Sequence, residues 1–208
     1  MLNKHTVEDE HQEVFLMVYS ATRRYVIASF LAGLSYLLMF LSFAVIPLVP
    51  YMKIDFSDLP ILFGMFLFGP LGGIEIAILR SLLYFLISGP SIASLIGVST
   101  NLLASLCFCL PVFYILRKSH AVTASNIGRS ILAGTASLTV VLSLANYFVI
   151  TPLYMAVLGM KLSLPLSQLV LYGVVPFNLI KGVLVGTAFW LLFTKLRVWL
   201  KDRSVVMH

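Results

Sequence analysis

Apolar residues gather in long uninterrupted stretches along this chain. Four of them, Tyr25 to Val49, Ile92 to Leu116, Ile131 to Leu158 and Leu169 to Phe193, are each long enough to cross a hydrocarbon core of about 30 Å as a helix. A fifth, Leu59 to Ile87, is equally apolar but is cut by Phe68-Gly69-Pro70-Leu71-Gly72-Gly73. That break reads either as a kink in one helix or as a turn between two short ones.

Charge separates the two readings. With a single crossing there, the chain crosses five times. If Arg23 and Arg24 are cytoplasmic, Arg117, Lys118 and Arg129, and then the tail cations Lys195, Arg197, Lys201 and Arg203, would face outward. That breaks the positive-inside rule twice. Two crossings place all of these and Lys4 inside, leaving Lys53 and Lys161 in external loops. The sequence therefore predicts an all-α integral membrane protein: a six-transmembrane-helix bundle with two short central helices, Leu59 to Phe68 and Leu71 to Ile87, and both termini cytoplasmic. Residues 1–24 form a cytoplasmic or interfacial segment, 25–199 the membrane domain and 200–208 a cytoplasmic tail.

Composition agrees with a membrane location. Hydrophobic residues make up 60% of the 208 and charged residues 11%, against about 45–50% and about 25% in soluble domains. The tails are too short for a separate soluble domain, so any energy source must lie in another chain. Glu8, Asp9, Glu10 and Glu13 precede an apolar run that stops at Arg23-Arg24, the wrong order for a cleaved signal peptide. The segment Val14 to Tyr19 reads as surface-lying or as a helical lead-in. Cys107 and Cys109 point to different faces of a helix and read as buried free thiols. No internal repeat supports an inverted-repeat transporter.

One ammonium sits midway along the last apolar stretch. Lys181 at that depth costs about 2.5–3.5 kcal/mol on insertion and cannot easily snorkel to either surface, so it needs a partner or a ligand. Asn178, three residues earlier, shares its helix face, and Pro176 frees backbone carbonyls one turn before. Asn101 and Asn146 fall in the fourth and fifth spans. A lone membrane Asn serves interhelical hydrogen bonding, but several amides and an ammonium at comparable depth point to a polar binding pocket. The external loop Pro50 to Pro60 carries Tyr51 and Met52 as a lid or wall, Lys53 near headgroups, and Asp55, Ser57 or Asp58 as a cap for the next helix. Glu75 and Arg80 do not share a face; each reads as structural with a partner on another helix, or, for Arg80, as a neighbour of the pocket. Small residues four apart, Ala28 with Ala32 and Gly182 with Gly186, mark close helix approach, either inside the bundle or toward a membrane partner.

Chemistry is otherwise sparse. There is no Walker-type phosphate loop, and the four histidines His5, His11, His120 and His208 lie in tails or the cytoplasmic loop. No metal site, catalytic constellation, cofactor or nucleic-acid partner is expected, and Asp55-x-x-Asp58 alone does not make a metal site.

The block Tyr51 to Pro70, then Asn146-Tyr-Phe-Val-Ile-Thr-Pro-Leu-Tyr154, then Val175-Pro-Phe-Asn-Leu-Ile-Lys-Gly182, resembles the riboflavin-binding S component of energy-coupling factor (ECF) transporters. The resemblance runs from the first span to the last. It implies a six-helix bacterial cytoplasmic-membrane protein that captures riboflavin from outside. Its partners would be a coupling transmembrane subunit and two cytoplasmic ATPase subunits. By motif it carries flavin contact to Asn146, Asn178 and Lys181, with Asn101 as a further member, and pocket closure to the loop Tyr51, Met52, Lys53 and Asp55. Ala28 and Ala32 would face the coupling subunit. The chain departs from the family at Arg80-Ser81, where a Lys-Asn pair is expected, so no ligand contact is carried to that position.

The chemistry fits independently. Isoalloxazine is a flat apolar body with a uracil-like edge that an Asn amide and an ammonium can pair. Three other readings stand beside it: an S component for another small vitamin or heterocycle, a self-sufficient secondary transporter, and a membrane enzyme. The second would need an intramembrane acidic relay, for which Glu75 is the sole acidic residue deep in a span.

Overall fold

The computed structural model describes residues 4–119, 123–162 and 164–201. The tail beyond 201, with Arg203 and His208, lies outside them, as does His120. Helix α1 (Lys4–Phe40) is followed by two short strands, β1 (Phe43–Ala44) and β2 (Lys53–Ile54), then α2 (Asp58–Ile87) and α3 (Ile92–Lys118). Helix α4 (Ala124–Ala145) continues through a π-helical turn, Asn146–Ile150, into α5 (Thr151–Leu158). The last rod is α6 (Leu166–Leu169), a second π-helical turn at Val170–Val174, and α7 (Val175–Lys201). Four runs are long and apolar enough to cross a membrane: Asp58–Ile87, Ile92–Lys118, Ala124–Leu158 and Leu166–Leu196. The chain is an all-helical membrane protein apart from the two-residue strands. Its outward face carries large apolar residues such as Phe30, Leu132, Phe148 and Leu191, as a lipid-facing surface requires.

The expected break in the second apolar stretch is present, and it folds the helix on itself. Gly69 has φ 82° and ψ 177°, a region open only to glycine, and Pro70 then starts the second limb without needing its missing N–H. A Cβ on Gly73 would lie 3.1 Å from the Ile61 carbonyl oxygen and 2.1 Å from Met65 Cγ, and one on Gly64 would lie 2.2 Å from Ile76 Cδ1. In a straight helix positions 61 and 73 would be about 18 Å apart. The two limbs, 58–68 and 70–87, thus form a tight helical hairpin whose backbones touch through glycine.

Two features differ from the sequence expectation. The first span ends at Phe40 rather than Val49: beyond it Pro47 and Pro50 cannot donate to a helix ladder, and the chain turns back so that Phe43 pairs with Ile54 and Ala44 with Lys53. This folded segment roofs the bundle, with Val49 fully buried and Ile54 buried beneath it. Gly173 gives it room, since a Cβ there would meet Val49 Cγ1 at 2.8 Å. Of the two readings of Val14 to Tyr19, the structure has the helical lead-in, continuous with α1.

The second difference concerns Ala28 and Ala32. They are 3% and 1% exposed and belong to the chain's own core with Leu62, Met65 and Ile76. The resemblance placed them toward a coupling subunit; within the chain itself their small size lets α1 approach the α2 hairpin, where a Cβ on Gly64 would meet Leu31 at 3.7 Å. Gly182 and Gly186 likewise serve internal packing. Added Cβ atoms would lie 2.5 Å from Thr135 Oγ1 and 2.3 Å from Ile131 Cγ2, so α7 lies directly on α4. Phe66, Phe113, Phe189 and Phe193 fill the end of the core nearer the hairpin tip, with ring centroids 4.9 to 6.0 Å apart.

Candidate functional site

The limbs of α2, helices α3, α4 and α7 and the roof segment converge on a polar centre. Asp58 opens the first limb of α2, and Arg80 stands on the second limb beside it. Arg80 Nη1 is 3.6 Å from Asp58 Oδ1 and donates to Ser57 Oγ at 2.8 Å. Lys181 Nζ, from α7, lies 3.7 Å from Asp58 Oδ2 and 4.0 Å from Asp55 Oδ2. Ser105 of α3 donates to Asp58 Oδ1 at 2.5 Å. All four charged residues are at most 4% exposed. Two carboxylates thus balance two cations. A buried ion is tolerated only when paired and hydrogen-bonded in this way.

Lys181 therefore has the partner its depth demands, and it comes from two acidic residues that the sequence suggested as helix caps. No side chain caps α2: Ser57 holds the cap position without a side-chain cap bond. Its N–H donates instead to Asp55 Oδ1 at 2.9 Å, its hydroxyl donates to the same oxygen, and its carbonyl accepts from Ser35 Oγ at 2.5 Å. Burial pushes the Asp55 carboxyl up, but the Lys181 ammonium and the Ser57 donors outweigh it and hold it below the usual carboxylate range. Glu75 lies apart from this cluster and pairs with Arg24 of α1 at 3.1 Å on the exposed side. Glu75 is half-exposed, whereas Asp55 and Asp58 are the buried acidic residues among those described.

Directly against the charge cluster is a cavity of about 140 Å³. Asn101, Asn146, Asn178 and Lys181 line it together, with Tyr51, Met52 and Lys53 forming the roof. Asp55 does not line this cavity; it faces a second, outer one of about 440 Å³ that shares Tyr51, Lys53, Gly97 and Asn101 with the first. The amides are held differently. Asn146 donates from Nδ2 to the Leu142 carbonyl at 2.8 Å and accepts from Thr151 Oγ1 at 3.4 Å. Asn101 accepts at Oδ1 from Arg80 Nη2 at 3.2 Å. Asn178, only 2% exposed, has a buried Nδ2 without a partner among the described residues.

An unpaired buried amide costs about 1–3 kcal/mol, so Asn178 is built to be met by something in the cavity. The apolar walls are Phe177, Leu142, Ile150 and Ala104, with Tyr154 and Thr100 adding hydroxyls. None of these six was singled out from the sequence. Phe177, Ile150 and Tyr154 lie inside the two motifs quoted above, whereas Leu142, Ala104 and Thr100 carry no local signal. The arrangement suits a flat, largely apolar molecule with a hydrogen-bonding edge. Among the described residues no three His, Cys, Asp or Glu form a metal-binding group.

Comparison with known proteins accords with this geometry. Residues 23–193 match the family model described as ECF transporter, substrate-specific component. The riboflavin transporter FmnP of Bacillus subtilis (strain 168) is 33% identical over 189 residues, covering 89% of this chain and 98% of that protein. The riboflavin transporter RibU of Staphylococcus aureus (strain TCH60) is 36% identical over 180 residues, covering 86% and 93%. A solved S component of a bacterial ECF transporter superposes with a TM-score of 0.72 at 36% identity, over 87% of this chain and 99% of that one. The chain belongs to the family of substrate-specific components of ECF transporters.

Proposed function

We propose that this protein captures riboflavin from outside the cell for import, as a binding subunit driven by a separate energy-coupling module of one transmembrane coupling subunit and two cytoplasmic ATPases. It is a transport component and not an enzyme. The observation that carries the ligand reading is the convergence of Asn101, Asn146, Asn178 and Lys181 on one cavity under the Tyr51–Lys53 roof. The two relatives named above are riboflavin transporters. In this reading Asn146, Asn178 and Lys181 pair the polar edge of the isoalloxazine, Asn101 meets a further acceptor, and Tyr51, Met52 and Lys53 close over it, with Asp55 tying the closing segment to Lys181.

Charge favours the neutral vitamin over its phosphate ester. The ammonium of Lys181 is already balanced by Asp55 and Asp58. Among the described residues lining the cavity, Lys53 is then the one cation without an ion-pair partner, too little for a phosphate bearing about two negative charges. The membrane frame we propose has six crossings, counting the α2 limbs as two, with residues 25–199 in the membrane and both termini cytoplasmic.

Riboflavin fluorescence quenching on the purified chain, stripped of co-purified flavin, tests the reading. Stoichiometric quenching that other vitamins do not compete away is expected. A folded sample that leaves riboflavin fluorescence unchanged would overturn the ligand assignment. Uptake by the chain alone in ATP-free vesicles would favour a secondary transporter, which the pairing of Glu75 with Arg24 and of both buried Asp residues with cations argues against.

A further inference from the structure

Arg80 stands where the family resemblance gave no ligand role, yet the geometry gives it one at a distance. Its side chain is fully buried. Nη1 is committed to Ser57 Oγ at 2.8 Å and lies 3.6 Å from Asp58 Oδ1; Nη2 donates to Ser105 Oγ at 3.1 Å and to Asn101 Oδ1 at 3.2 Å. A guanidinium carries five donors in a planar fork and accepts nothing. Whichever end of the Asn101 amide faces it must therefore be the oxygen. Ser105 Oγ, whose proton goes to Asp58, lies on the same side, 3.5 Å from Oδ1. The opposite end, the NH2 group, has no acceptor among the described residues, on a side chain that lines the cavity.

We propose that Arg80 is a positioning residue for ligand recognition: it locks the Asn101 amide with NH2 toward the cavity, so that this corner of the site selects a hydrogen-bond acceptor on the ligand. Turning the amide over would set NH2 against a guanidinium, donor against donor in a buried setting, while presenting an acceptor to the ligand. The inference rests on the riboflavin reading, and it deepens it. An unlocked Asn could adapt to donor or acceptor; a locked one discriminates between them, because a buried group left unpaired is what rejects the wrong ligand. A lysine at this position is a single ammonium on a flexible stem. It can face Asp58 but cannot hold Ser57, Ser105 and Asn101 at once through a planar fork.

A double-mutant cycle on the purified full-length chain tests this, with riboflavin quenching for affinity and thermal melting followed in parallel. Asn101→Ala and Arg80→Lys are each expected to weaken riboflavin binding about tenfold, and the double variant to bind no more weakly than Asn101→Ala alone, because Arg80 acts through Asn101. Losses that multiply in the double variant, or wild-type affinity in Arg80→Lys, would overturn the proposal. Should Arg80→Lys melt before it can be titrated, Asn101→Asp decides. Its carboxylate keeps a partner in Arg80 but presents only oxygen to the cavity, so binding weaker than in Asn101→Ala is expected and binding as tight as wild type would refute the lock. If the folded wild-type chain itself fails to quench riboflavin, the ligand reading falls and this inference with it; quenching by wild type with an unaffected Arg80→Lys removes the inference alone.

Discussion

Lys181 does two jobs at once, and separating them is the most direct test at the scale of single residues. It balances Asp55 and Asp58, and it lines the cavity. Removing one partner of a buried ion pair costs about 3–5 kcal/mol because the other charge is left unpaired. Lys181→Met is therefore expected to lower the melting temperature as well as riboflavin affinity. Adding Asp58→Asn leaves Asp55 and Arg80 as a balanced pair and should restore most of the melting temperature without restoring binding. Asn178→Ala is the contrasting case: its Nδ2 has no protein partner to lose, so affinity should fall tenfold or more, on the order of 1.4 kcal/mol, with melting little changed. A second prediction concerns pH. Asp55 is held below its ordinary value of 3.8 in the folded chain. A depressed carboxyl stabilises the fold above the unfolded value and ceases to do so as pH falls through the folded one. The melting-temperature advantage of wild type over Asp55→Asn should therefore be full at neutral pH and shrink steadily below about pH 4; a constant difference across that range would show that Asp55 is not ionised in the fold. The demand of Lys181 for a partner was legible in the sequence, because depth alone imposes it. Which residue answers was not, because Asp55, Ser57 and Asp58 are all good helix caps locally and only the hairpin brings them beneath α7.

At the scale of elements, glycine decides how the helices meet. Gly69 turns α2 back on itself, and the sequence announced this through Phe68-Gly69-Pro70 and through charge, since one straight helix would have sent two basic clusters to the wrong side. The direction in which small residues face was not announced. Ala28 with Ala32 has the same spacing whether it meets another chain or the next helix of its own, and burial alone distinguishes them. The strand pair and the two π-helical turns were likewise invisible: pairing across a loop is non-local, and a one-residue π insertion leaves apolar periodicity unchanged over so short a run. The α4–α7 seam yields a prediction. In Gly186→Ala the new Cβ would sit 2.3 Å from Ile131 Cγ2 and 3.2 Å from its Cγ1, so the helices must part, at a cost of about 1–3 kcal/mol. Ile131→Ala removes both γ carbons and leaves only a 3.3 Å approach to Cβ. The double variant should melt above Gly186→Ala alone even though Ile131→Ala by itself loses packing. If the two effects simply add, α4 and α7 do not meet at this contact.

For the whole molecule, the direction of capture depends on how the helical bodies sit across the bilayer. The first limb of α2, residues 58–68, is about 16 Å long at 1.5 Å per residue and cannot cross a core of about 30 Å unaided. In the proposed six-crossing frame its N-terminus therefore stops at membrane depth, and the roof segment 41–57 descends to meet it. That is why Asp55, Ser57 and Asp58 can reach Lys181 and Arg80 in the interior while Lys53 and Tyr51 remain exposed above. An irregular segment so deep is tolerable only where protein or a water-filled cavity satisfies its backbone, and the cavity beneath it supplies that setting. The cavity then opens toward the side bearing Lys53, which in a six-crossing frame is the outside. Cysteine accessibility fixes the frame. In a chain with Cys107 and Cys109 replaced by Ala, Lys161→Cys should react with a membrane-impermeant maleimide added to intact cells, whereas Lys118→Cys should react only after the membrane is opened. Five crossings with the same cytoplasmic Arg23 and Arg24 would exchange the two results, placing Lys118 outside and Lys161 inside, and would leave the basic tail facing outward.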